Sequence, residues 1–179
     1  MRVYIGLALA MTLLNQMAVA ARIFTPVREA MPKARVNLIW IAAFVTVWHG
    51  FRSSPEIWQV ALGTAGLLLS FGLFDWARRS IRGKFFSYAY CGDQPGFVWT
   101  SGPYAWIRNP FYSSYLIAYL SAVILMPDEI SAVVFLVMVW LFASAAIYEE
   151  GKFAASPLAA EYNEYMRRTG RFFPKVRER

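Results

Sequence analysis

The sequence predicts an all-α integral membrane protein of about five transmembrane helices followed by a short cytoplasmic C-terminal helix. Three observations carry that prediction. Of 179 residues, 58% are hydrophobic and 17% aromatic, and the mean hydropathy is +0.39. This is too apolar for an ordinary soluble domain of this size. The apolar residues fall in five runs, at about 3–21, 36–51, 57–77, 112–126 and 130–148. Sixteen of the 18 Lys and Arg residues lie in alternate breaks, within 22–35, 78–111 and the tail after 148. Short turns at 52–56 and 127–129 leave no room for a separate soluble unit, so residues 1–179 are expected to form one membrane domain.

The first run, Val3 to Ala21, is expected to be kept as a span. Arg2, the apolar stretch and Ala18-Val19-Ala20-Ala21 imitate a cleavable leader. Cleavage there would place the next basic loop outside and invert the charge pattern of the whole chain. Asn15 and Gln16 within this run point to an interhelical hydrogen bond. The second and fourth runs are short for a hydrocarbon core about 30 Å thick at about 1.5 Å per residue. Flanking Trp and Tyr extend them into the interface. In the third run, Asp75 sits where it can pair locally with Arg78 and Arg79. After the fifth run, Ser156 reads as an N-cap, Pro157 as the first helical residue and Gly170 as the residue beyond the end. Leu158, Tyr162, Tyr165 and Met166 then share one face, as in a helix lying on the membrane or closing a cavity beneath the bundle.

Charge placement sets the expected orientation, with the N-terminus outside and the C-terminus cytoplasmic. The net charge of +7 follows from that topology plus attraction to anionic lipid headgroups, rather than from nucleic-acid binding. Cys91 is the only cysteine and His49 the only histidine, so neither a disulfide nor a metal site is expected. His49 falls near the face opposite Cys91 and reads as an interfacial residue.

Two polar clusters bracket the last hairpin. The first is Ser101-Gly102-Pro103-Tyr104-Ala105-Trp106-Ile107-Arg108-Asn109-Pro110-Phe111-Tyr112, which runs straight into the fourth apolar run. The second is Glu149-Glu150, where the fifth run stops. A hairpin that crosses a bilayer and returns has both ends on one side, so Arg108 and the acidic pair are expected to meet at one membrane face. Ionisable residues held where a helix meets hydrocarbon are costly and by default mark a site.

Gly-Pro-Tyr, Arg-Asn-Pro-x-Tyr, the Glu-Glu pair, then Tyr162, Tyr165, Arg168 and Phe173-Pro174 together resemble the C-terminal half of the isoprenylcysteine carboxyl methyltransferase family. That family is related to the membrane phospholipid N-methyltransferases. The resemblance covers roughly Phe85 to Pro174. The family often has His where this chain has Asn109, and Gly where it has Ser114, which alters close packing at the start of the fourth helix. The resemblance implies S-adenosyl-L-methionine as cofactor, held by Gly102, Pro103, Tyr104, Arg108, Asn109, Pro110, Glu149 and Glu150. It also implies catalytic roles for Arg108, Tyr112 and Glu150.

The implied reaction is positioning chemistry, aligning a nucleophile with an activated methyl group and excluding water. The cofactor comes from the cytosol and a lipid or other lipophilic substrate from the bilayer, so the cytoplasmic interface is where both arrive. A glutamate can bind the cofactor's ammonium, Arg108 can make a bidentate contact to a carboxylate, and Gly102 lets backbone approach closely. A prenylcysteine-type carboxylate is favoured by the family name, with a phospholipid amine or a small thiol as alternatives. Two other classes fit the same architecture, a membrane reductase using a nicotinamide cofactor and a non-catalytic membrane scaffold.

Overall fold

The structure is a computed structural model that describes residues 1–25, 33–81, 86–87 and 95–175, with backbone alone at 21–25 and 86–87. Arg28, Arg82, Lys84, Phe85, Cys91, Arg177 and Arg179 lie outside the described residues. The described chain is helical: α1 (Arg2–Ile23), α2 (Lys33–Gly50), α3 (Ile57–Ser80), α4 (Pro110–Leu125), α5 (Glu129–Ala154) and α6 (Ala159–Arg168). A two-residue parallel pairing sets Phe24–Thr25 (β1) beside Phe86–Ser87 (β2). Gly102–Ala105 form a single 3-10 turn.

Local sequence explains the boundaries. Gln59 Oε1 reaches back to accept from the Glu56 amide at 2.6 Å at the start of α3, one arm of a capping box. Pro110 opens α4, where its missing N–H costs nothing. Asp128 caps α5, accepting from the Ser131 amide at 3.0 Å. Three helices, α1, α3 and α5, are long and apolar enough to cross a membrane by length and composition. The other two expected spans fall short for different reasons. α4 has 16 residues, and α2 carries Lys33, Arg35, Asn37 and His49 among its 18.

The helices outrun the apolar runs that predicted them, because hydrogen bonding continues where hydropathy stops. α3 runs on through Arg78 and Arg79 to Ser80. α5 continues through Glu149, Glu150, Gly151 and Lys152 to Ala154, so the acidic pair lies inside the last turns of the helix rather than at its end. The tail helix starts at Ala159 rather than at Pro157. Ser156 instead shapes the turn between α5 and α6, donating to the Phe153 carbonyl at 2.8 Å and accepting from the Leu158 amide at 3.1 Å. The local pairing expected of Asp75 is present, with Arg78 Nη2 at 2.5 Å and Arg79 Nε at 2.6 Å. Gln16 makes the interhelical bond expected of the first run, donating to Ser70 Oγ of α3 at 2.8 Å.

Cross-links define two ends of the bundle. At one end Arg2 Nε donates to Ser54 Oγ at 2.7 Å, and His49 Nε2 lies 2.6 Å from Asp128 Oδ2. These contacts gather the N-terminus, the α2–α3 turn and the α4–α5 turn. The opposite end holds the β1–β2 pairing, the 3-10 turn, the start of α4, the end of α5 and all of α6. Between them a buried apolar core joins Ile5 and Leu9 of α1, Ala43 of α2, Leu67 of α3, Ala122 of α4 and Met138 of α5. A smaller cluster of Phe74, Ala77, Ile81, Tyr104 and Phe111 packs the 3-10 turn onto the end of α3.

Candidate active site

The two polar clusters meet at that second end. Arg108, just before α4, donates from Nε to Glu150 Oε1 of α5 at 3.0 Å, and from Nη1 to the carbonyl of Thr169. Arg171 approaches the same carboxylate from the other side, with Nη2 2.7 Å from Glu150 Oε2 and Nε 3.1 Å from Oε1. One carboxylate therefore joins two guanidiniums. The Glu150 and Arg108 side chains are only 9% and 10% exposed, against 40% for Arg171. A pair this deep needs its remaining protons and lone pairs satisfied, and the second guanidinium and the helix-end carbonyl do so.

The residues after α6 form a strap across the motif. Ile107 and Gly170 make a parallel β-bridge. The Arg108 amide donates to the Gly170 carbonyl at 2.8 Å and the Gly170 amide to the Trp106 carbonyl at 3.1 Å. The Asn109 amide and its Nδ2 both reach the Arg171 carbonyl, at 3.2 and 3.3 Å. Ser113 Oγ donates to the Phe172 carbonyl at 2.8 Å. A Cβ on Gly170 would overlap the Phe173 carbonyl oxygen, so only glycine lets the strap turn here. Among the expected cofactor residues, Asn109 thus serves the strap through its side chain, and Pro110 is buried as the first residue of α4.

Glu149 faces differently. It accepts from the Tyr112 hydroxyl at 2.9 Å, and the Tyr112 ring stacks on Phe142 with centroids 5.3 Å apart. Tyr104 lies buried nearby in the 3-10 turn, and its carbonyl accepts from the Tyr165 hydroxyl of α6 at 2.7 Å. Burial first, then the neighbouring Tyr165 and Glu149, push the Tyr104 phenol above its ordinary value of 10.0. It therefore stays protonated, a donor rather than a base. Phe153 and Tyr162 stack at 4.1 Å between α5 and α6. Tyr162 and Tyr165, on the apolar face of α6, are buried in this packing, so the helix closes the bundle end, while Leu158 and Met166 of the same face stay part-exposed.

Gly102 has φ of +63°, a left-handed conformation that favours glycine. A Cβ here would lie 2.5 Å from Ser80 Cβ and 3.4 Å from Trp76 Nε1. Its missing side chain therefore serves close packing of the turn on α3, and Pro103 beside it is fully buried. Arg108, Tyr112, Glu149 and Glu150 are brought together as the spacing implied. The structure adds Arg171 and Thr169, to which the sequence assigned no place in the site, and gives Gly170, expected only to end the tail helix, a place in the strap. Their signal was a basic residue directly after the glycine that ends the tail helix. Among the described residues, no group of three or more His, Cys, Asp or Glu side chains could hold a metal ion.

Fold and site together define a helical membrane protein with a polar, aromatic-walled site at one end of its bundle. A sequence model described as the isoprenylcysteine carboxyl methyltransferase (ICMT) family matches residues 66–156, just over half of the 179 residues. The chain belongs to that family. It is similar to the Protein-S-isoprenylcysteine O-methyltransferase of Saccharomyces cerevisiae (strain ATCC 204508 / S288c), at 31% identity over 76 residues. That stretch is 42% of this chain and 32% of the yeast protein, so the match spans about a third of its relative's length. No solved structure matches the chain significantly. Both polar clusters of the last hairpin fall inside the family's matched range, whereas α6 and the strap lie beyond it.

Proposed function

We propose that this chain transfers the methyl group of S-adenosyl-L-methionine to a lipophilic acceptor at the cytoplasmic face of a membrane, the acceptor being a prenylcysteine-type carboxylate. The observation that supports this most is the meeting of Gly102–Tyr112 with Glu149–Glu150 at one bundle end, all within the family's matched range. The proposal counts all five apolar helices as spans, with α2 and α4 completed by interfacial aromatics. It places the N-terminus outside and the site, α6 and the C-terminus in the cytoplasm.

The residues fit such a cofactor by the chemistry of their donors. Its cationic ammonium and sulfonium call for an acid, and two acids are present. Glu150 holds Arg108 and Arg171 together, and Glu149, positioned by the Tyr112 hydroxyl on the same end of α5, is the carboxylate proposed for the ammonium. Tyr112 fixes the rotamer of Glu149, and the buried Tyr104 and the stacked Tyr112 and Phe142 rings wall this end of the bundle. When bound, S-adenosyl-L-methionine supplies a methyl group on a sulfonium; an acceptor carboxylate oxygen takes that methyl and the S–CH₃ bond pair stays on sulfur. No proton moves in that step, which suits a site whose buried phenol, Tyr104, is held protonated. Arg108, Glu150 and Arg171 then act by holding the strap across the motif and excluding water, rather than by touching the acceptor.

The test uses purified protein in detergent, methyl-labelled S-adenosylmethionine, and three acceptors: farnesylated N-acetylcysteine, an aminophospholipid and a small aliphatic thiol. Label in a base-labile ester of the first is expected. Label in the lipid amine or the thiol would overturn the acceptor. Binding of NADPH without S-adenosylmethionine would move the chain to the reductase class, and binding of neither to a scaffold. Reporters fused within 127–129 and at the C-terminus should register as external and cytoplasmic respectively, and the reverse result would overturn the orientation.

A further inference from the structure

A buried hydrogen-bond chain ties α1 to the first turns of α4 through α3. Gln16 Nε2 donates to Ser70 Oγ at 2.8 Å, and Ser70 Oγ donates to the Ser114 carbonyl at 2.7 Å. Gln16, Ser70 and Ser114 are each 0% exposed. Ser70 has one proton and commits it to that carbonyl, so it must accept from Gln16, which fixes the amide with Nε2 toward the serine. Among the described residues, Gln16 Oε1 is then left buried with no hydrogen-bond partner. Simple packing would be better served by an apolar side chain of similar size, since an unmet buried acceptor is costly. A polar residue here supplies a directional contact that packing alone does not give.

The carbonyl it reaches belongs to the part of α4 that carries the site. Ser114 follows Tyr112 by two residues and Ser113 by one. The Tyr112 hydroxyl bonds Glu149, and the Ser113 hydroxyl bonds the strap at Phe172. The reach is possible because α3 and α4 lie close: a side chain on Gly63 would run into Leu125, and one on Gly66 into Ser121. Two helices so close can still rotate or slide, and a directional bond to a backbone carbonyl opposes both motions.

We infer that Gln16 and Ser70 are positioning residues, setting the rotation and depth of α4 so that Tyr112 meets Glu149. Ser70 lies inside the family's matched range of 66–156, whereas Gln16 and all of α1 lie before it. The first helix thus contributes to the site through the third. The consequence for methyl transfer rests on the proposed function; the effect on Tyr112 does not.

The first readout therefore needs no cofactor. Protein is labelled with 3-fluorotyrosine, and the ¹⁹F resonance of Tyr112 is assigned by its loss in Tyr112→Phe. Ser70→Ala and Gln16→Leu should each move that resonance toward its position in Glu149→Gln, and Ser70→Thr should restore it. An unmoved Tyr112 resonance in a folded Ser70→Ala protein would overturn the inference. Should Ser70→Ala fail to fold, Ser70→Cys keeps the volume with a weaker donor and is read in the same way.

The second readout is affinity for S-adenosylhomocysteine by calorimetry. Ser70→Ala should weaken it about threefold, the scale of one interhelical hydrogen bond in a membrane bundle. The same change should add nothing in a Tyr112→Phe background. Full additivity, or a lowered melting temperature with unchanged affinity, would reduce the chain to structural glue. Failure of the parent protein itself to bind would count against the proposed function, while the fluorine result still decides the inference.

Discussion

Arg108 and Glu150 meet through a 3.0 Å bond between Nε and Oε1, one side chain from the loop before α4 and the other from the last turns of α5. Arg171 shares the same carboxylate, so this acid joins the motif, the hairpin and the strap at a single point. Its sequence neighbour Glu149 is held by Tyr112 instead. Adjacent acids that the sequence presents as a pair have separate partners and, in the proposed function, separate roles.

Glu150→Gln should destabilise the protein more than Glu149→Gln. Removing the carboxylate leaves Arg108 buried and unpaired, at a cost of roughly 2–4 kcal/mol, the lower part of that range reflecting the exposure of Arg171. Thermal unfolding in detergent should show a clear fall for Glu150→Gln. Equal melting temperatures for the two variants would remove Glu150 from its structural role.

Glu149→Gln should keep the parent's melting temperature while weakening donor affinity by about 1.5–3 kcal/mol, the range for a hydrogen bond to a charged group. Calorimetry with S-adenosylhomocysteine checks this. Normal affinity in this variant would sink the assignment of Glu149 to the cofactor.

Arg108→Lys separates charge from geometry. Lysine keeps the positive charge but cannot reach Glu150 and the Thr169 carbonyl from one planar fork. Limited proteolysis should cut the strap faster in this variant, and methyl transfer should fall with it. A variant with a protected tail and full turnover would show that a simple cation suffices here.

Gly102→Ala should be destabilising by at least about 1–2 kcal/mol from the left-handed backbone alone, with the Ser80 contact adding to that. Its melting temperature is compared with that of Gly151→Ala, where an added Cβ meets nothing within 4 Å. Similar values for the two would contradict the packing assigned to Gly102.

At the far end of the bundle, Asp128 predicts an acid limb. Burial acts to raise its carboxyl, but the Ser131 amide and His49 outweigh burial and hold it below the ordinary 3.8. A carboxyl with a depressed folded-state pKa adds stability that is present above its unfolded value and lost as pH falls through the folded one. Stability should therefore decline below about pH 3.8, and Asp128→Asn should be less stable at neutral pH with a shallower decline. Parallel curves for parent and variant would leave the His49–Asp128 contact without energetic weight.

The helices were legible because burial in hydrocarbon demands long apolar runs, and each run announces itself by composition alone. The meeting of Arg108 with the acidic pair was legible too, because a hairpin has no other way to return. Helix ends were less so: Glu149, Glu150, Gly151 and Lys152 break the hydropathy but not the helix, and Ser156 serves a turn where a cap was expected. Gly102 read as room for close backbone approach, and what no linear pattern shows is that the space on its Cβ side is filled by Ser80.

Sequence by itself determined the membrane class, the order of the helices and the end of the bundle where the polar clusters gather. Tertiary structure alone decided the partner of each side chain there. Neighbours on an α-helix point about 100° apart, so Glu149 and Glu150 face different surroundings, and no linear pattern says which faces the strap. Arg171 reaches Glu150 only because α6 folds back beneath the hairpin, and Gln16 reaches Ser114 only through Ser70. Such contacts depend on helix rotation and depth, which are set by the packing of all the helices together.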